Sequence, residues 1–167
     1  MRKPLMVALA VATLALPLGL EAQTNQGTNT ASATVQTPLN VTNVQDLAFG
    51  DVLPGVNKTV LPGDASAGQL QITGQDAREV SLDFGTLPTT LASGGNTMPI
   101  TFGSGSAGWG VLPAAVDGTF DPASGTSQFL VGSALYVFLG GTVQPPASQA
   151  AGIYSADVTV TVNYTGS

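Results

Sequence analysis

From Tyr154 to Tyr164 the chain alternates without a break, and no other run restricts the fold as much. Tyr154, Ala156, Val158, Val160, Val162 and Tyr164 fall on one side. Ser155, Asp157, Thr159, Thr161 and Asn163 fall on the other. A period of two places successive side chains on opposite faces of an extended strand, whereas an amphipathic helix needs apolar residues at i, i+3, i+4 and i+7. Beyond residue 22 no stretch shows that helical spacing. The chain is therefore expected to be all-β, with one strand face on a core and one in water.

Shorter runs repeat the pattern. Ala31, Ala33, Val35, Thr37, Leu39 and Val41 share a face, with Pro38 on the other marking an edge or an interruption. Leu47 and Phe49 alternate before Gly50, Pro54 and Gly55 break the run. Further strands are expected at 58–61, 68–74, 78–85, 97–103 and 127–143, while 103–127 reads as a long loop or ragged hairpin. Short strands separated by Gly, Pro, Asn and Asp predict a single β-sandwich over residues 31–167. Residues 23–30, "QTNQGTNT", are polar and uncharged and read as a flexible segment.

Residues 1–22 read as a secretory signal peptide. Arg2 and Lys3 precede the apolar run "PLMVALAVATLALPLGL", small-residue cleavage is offered after Ala22, and no basic stop-transfer cluster follows. The expected location is secreted or cell-surface, without membrane insertion after processing. Beyond residue 22 only Lys58 and Arg78 oppose nine carboxylates, a net charge of about −7. Such a surface has no cationic footprint for nucleic-acid phosphates. The chain has neither Cys nor His. Cys–His and Ser–His–Asp catalysis are excluded, with the usual zinc, copper and haem sites, and no cofactor is expected.

The remaining candidates for chemistry are few. Asp117 and Asp121 could offer oxygens to calcium, but their spacing does not match a calcium loop, and Asp-Gly and Asp-Pro are ordinary turn dipeptides. Asp76 and Glu79 read as a solvated turn rather than a glycosidase pair. Trp109, between glycines, either fills the core or contacts a glycan. Sequons at Asn40, Asn57 and Asn163 carry weight only in a glycosylating host. The chain is not expected to be an enzyme.

Three ordered features, "ATVQTPLNVT", "LAFGDVLPG" and "AGIYSADVTVTVNY", together resemble the bacterial secreted domain of unknown function 4402 family. That family is similar to spore coat protein U and to archaic chaperone–usher pilins. The resemblance implies an immunoglobulin-like or pilin-like β-sandwich, with or without completion by a donor strand from another chain. It implies a terminal strand bordering an acceptor groove, with Gly152, Val158, Val160, Val162 and Tyr164 in the matching positions. The donor face would be Ala31, Ala33, Val35, Leu39 and Val41. Implied partners are copies of itself or related subunits, with a periplasmic chaperone and an outer-membrane usher. Residues 31–41 serve either as such a donor or as the domain's own first strand. The alternative function is a self-complete monomeric module binding carbohydrate or cell-wall polymer through Trp109 and 103–127.

Overall fold

The computed structural model describes residues 26–166. The leader expected over 1–22 lies outside the described residues. Contacts divide the chain into Met1–Thr34 and a compact unit, Val35–Ser167. Residues 26–34 are exposed and form no strand.

The compact unit is an all-β sandwich of antiparallel strands. In chain order these are β1 (Asn40–Gln45), β2 (Lys58–Val60), β3 (Gly68–Thr73), β4 (Glu79–Asp83), β5 (Thr90–Ser93) and β6 (Asn96–Thr101). There follow β7 (Ala107–Gly110), β8 (Gly118–Phe120), β9 (Thr126–Phe129), β10 (Ala134–Leu139), β11 (Gly141–Val143) and β12 (Thr161–Tyr164). They form a sheet in the order β1-β3-β10-β7-β8, a second in the order β12-β4-β9, and a third in the order β2-β11-β6-β5.

The alternation read in the sequence builds the core. Ile72 of β3, Leu135 and Val137 of β10 and Ala107 of β7 meet Val80 and Leu82 of β4, with Phe84 and Leu130 completing the cluster. The Phe84 and Phe120 rings lie 6.0 Å apart, tilted by 51°, within the range that favours aromatic pairs. A second cluster, Met98, Ile100 and Val143, lies on the third sheet and gathers Phe49, Val52, Leu91, Phe102 and Tyr154. One continuous run links the two. After Leu139 the chain passes Gly140 into β11, changing sheets. A Cβ at Gly140 would sit 2.2 Å from the Val60 carbonyl oxygen, so only glycine allows that crossing.

The structure redraws several strand boundaries. The expected 127–143 run is three strands with two breaks, and 103–127 contains β7 and β8. β5 had no clear period of two. Residues 46–50 form no strand although Leu47 and Phe49 are half-buried. The first strand begins at Asn40 rather than Ala31, and the terminal strand is regular only over Thr161–Tyr164. Alternation reports which face is buried. It does not report whether a neighbouring backbone is there to pair with.

Candidate functional site: an unfilled groove

Two of those departures, at 46–50 and at 156–160, meet in one place. Between the two core clusters lies a cavity of about 1080 Å³, bounded by residues 46–54 and 149–160. Its floor is apolar: Phe84 and Val137 of the first cluster, Met98, Ile100 and Val143 of the second. An interior packed to ordinary protein density does not leave such a space between its sheets.

The backbone of the walls is as telling as the floor. One wall is pinned at both ends. At one end Ser155 pairs with Ala92 through N–H to carbonyl bonds of 2.9 and 3.0 Å. At the other Thr161 pairs with Asp83 as β12 begins. Between these pins, residues 156–160 make no backbone–backbone hydrogen bond among the described residues. Val158 and Val160 nevertheless turn inward and pack on the first cluster. On the facing wall Ala48 donates to the Ser66 carbonyl, but the N–H groups of residues 49–52 have no such partner among the described residues. Gly68 lets this wall approach, since a Cβ there would meet the Leu47 nitrogen at 3.2 Å. Gln149, also on the lining, has its Oε1 buried with no hydrogen-bond partner. Unpaired main-chain groups along an apolar trough are the requirements of an extra strand.

A polar clasp lies beyond one end. The Tyr164 hydroxyl accepts a hydrogen bond from the Gln75 N–H at 2.6 Å and donates one to the Thr37 carbonyl at 2.7 Å. The Thr37 hydroxyl donates to Gln75 Oε1 at 3.1 Å. Gly74 makes room for the phenol, because a Cβ there would lie 2.5 Å from the Tyr164 oxygen and 2.8 Å from Leu39 Cδ2. At the opposite end the walls are exposed, and Ile153 is 90% accessible.

The residues named from sequence separate into three groups. Gly152, Val158 and Val160 line the cavity, whereas Val162 and Tyr164 continue the same strand beyond it, against the core. Leu39 is packed on the first cluster, and Val41 pairs with Ile72 in β1 of the same chain. Val35 is 95% exposed, and Ala31 and Ala33 are exposed in the segment ahead of the compact unit. The wall at 46–54 was missed as part of the site. Its signal was Leu47, Phe49 and Val52, an apolar set interrupted by Gly50 and Pro54.

The other candidates make packing contacts and turn hydrogen bonds. Trp109 is half-buried against the first cluster, with Gly118 opposite it across the strand pair. Asp76 Oδ1 accepts from the Ala77 and Ser133 N–H groups, Asp117 from Val111, and Asp121 from Ala123. Carboxylates that accept from nearby amides in this way hold turns. Glu79 accepts from the Thr165 hydroxyl. Among the described residues no three acidic side chains gather as a metal site would require.

Among known proteins, the family model described as Domain of unknown function (DUF4402) matches residues 55–164. No curated protein matches the chain.

Proposed function

The chain belongs to the DUF4402 family, and we propose that it is a non-catalytic, exported structural subunit of a surface fibre or coat that assembles by β-strand complementation. The observation that carries this reading is the groove. Its apolar floor lies between walls where the N–H groups of 49–52 and the main-chain groups of 156–160 have no backbone partner among the described residues. A strand laid between them would gain ladder hydrogen bonds from the walls and bury alternate side chains on the floor. An apolar small molecule would fill the space but leave the amides unmet.

The strand comes from the N-terminal segment of another copy. Leu39 and Val41 are committed to their own domain, which restricts the donor face to Ala31, Ala33 and Val35. The segment from 23 to 36 carries no charge, and residues 26–36 have no strand partner among the described residues. At strand rise, residues 26–35 extend on the order of 33 Å, enough to span either wall. Export through the N-terminal leader, and handling by a chaperone and usher, belong to the same proposal.

The test removes residues 23–36 and returns them as a synthetic peptide. The shortened chain should remain folded and monomeric and bind the peptide, with new amide-exchange protection across 156–160. A folded, shortened chain that binds no peptide, or binds it without protecting that wall, overturns the reading.

A further inference from the structure

We infer that neighbouring copies also touch body to body, Phe129 and Val131 of one meeting Leu53 and Ile153 of the next. This rests on the strand-addition reading and adds a contact that strand addition does not require.

Four observations lead to it. First, the two ends of the sandwich differ. Along the first sheet β3 and β10 run from Thr73 opposite Ala134 to Gly68 opposite Leu139. Beyond Leu139 the chain continues through β11 to Pro145, whose carbonyl accepts from the Gly55 N–H at 2.9 Å. The run from Ala134 to Pro145 covers at most roughly 35 Å at strand rise. The clasp therefore lies at one end, and Leu53 and Ile153 lie at the other, where the groove opens.

Second, each end carries exposed apolar side chains. Leu53 is 70% exposed and Ile153 90%. At the clasp end, Phe129 is 57% exposed and Val131 55%. Their turn is held against the clasp: the Leu130 carbonyl accepts from Ala77, the Ser133 carbonyl accepts from Gly74, and Asp76 accepts from Ser133.

Third, the direction of insertion is determined. The Tyr164–Thr37 clasp lies beyond one end of the groove and the walls are exposed at the other, so a strand still attached to its own body enters from the exposed end. The donor's early residues then lie towards the acceptor's clasp and Val35 towards its Ile153. That is antiparallel to the 156–160 wall.

Fourth, the connection is short. Thr37 of the donor is fixed to its own Tyr164, which leaves Gln36 as the whole linker after Val35. A one-residue linker leaves two bodies nowhere to separate to. The clasp end of the donor is pressed onto the open end of the acceptor, where the two apolar pairs face each other. The contact is head-to-tail, the class that propagates into filaments rather than closed dimers.

The absence of cysteine gives a clean test. Two double variants of the full-length chain, V131C with I153C and F129C with L53C, are expressed, exported and treated with a short thiol-specific crosslinker. All four positions are exposed, so the substitutions should leave the fold intact. A ladder of covalent multimers from either pair, absent from the single-cysteine variants, is the expected result. Fibres that form normally but give no ladder from either pair overturn the body contact and leave strand addition standing. A product that stays monomeric and never assembles overturns strand addition, and the contact with it.

Discussion

Replacing Tyr164 by Phe isolates the clasp, because it removes one oxygen and leaves the ring on the core. Two hydrogen bonds disappear, the Gln75 N–H to the phenol at 2.6 Å and the phenol to the Thr37 carbonyl at 2.7 Å. A neutral hydrogen bond contributes about 1 kcal/mol net, and stranding a buried donor costs about 1–3 kcal/mol. Gln75 is half-buried whereas Thr37 is exposed, so water replaces the phenol at the carbonyl more readily than at the amide. The expected loss is about 2 kcal/mol, a fall in Tm of roughly 5–8 °C for a domain this size. Tyr136→Phe is the control. Among the described residues its hydroxyl accepts only from Gln71 Nε2, at 3.2 Å, and removing it should cost under about 1 kcal/mol. Urea unfolding of both variants checks this, with amide exchange at Gln75 as a local readout. Equal losses in the two, or an unchanged exchange rate at Gln75, would refute the assignment of the clasp to Tyr164.

Gly74→Ala should damage the same clasp by crowding, since the new Cβ would lie 2.5 Å from the Tyr164 oxygen and 2.8 Å from Leu39 Cδ2. The expected cost is about 1–3 kcal/mol, read by thermal unfolding, and the double variant with Tyr164→Phe should recover part of it. Main-chain pairing in the groove is checked with the 23–36 peptide methylated on alternate amides. Alternate amides face opposite walls, so both methylated sets should lose binding to the shortened chain, whereas full retention by either set would argue against a strand paired to both walls.

The face of each strand was legible in the sequence, because burial leaves a period of two in the side chains. Val158, Val160 and Val162 were placed on the core in this way, and so they are. Pairing leaves no such mark. The same alternation runs through Val162, which is laddered opposite Leu82, and through Val158, whose backbone has no partner among the described residues. The facing wall was harder still, because Gly50 and Pro54 break the period and its apolar residues pack without ladder bonds. Leu39 and Val41 could be told from Ala31 and Ala33 only by long-range contacts, Leu39 at Gly74 and Leu130 and Val41 at Ile72. The clasp was invisible for the same reason, since Thr37, Gln75 and Tyr164 are far apart in sequence and unremarkable singly.

Charge makes a prediction about assembly whose sign is opposite to that of most protein associations. The segment from 23 to 45 carries no charge, while the rest of the chain beyond residue 22 holds nine carboxylates against Lys58 and Arg78. Three of the carboxylates, Asp46, Asp51 and Asp157, line the groove. Two copies processed as proposed, each at about −7, therefore repel as they approach end to end, and the incoming strand brings no cation to offset it. The inferred contact is apolar, so salt has no ion pair to weaken there. The Debye length falls from about 10 Å at 0.1 M to about 3 Å at 1 M, which removes most of the repulsion between bodies whose strand must still travel on the order of 30 Å into the groove. Fibre growth from purified subunits, followed by light scattering, should speed up as sodium chloride is raised across that range. Slowing with salt would mean that an attractive ionic contact guides the encounter, and the uncharged donor segment would then not be the whole of what one copy offers the next.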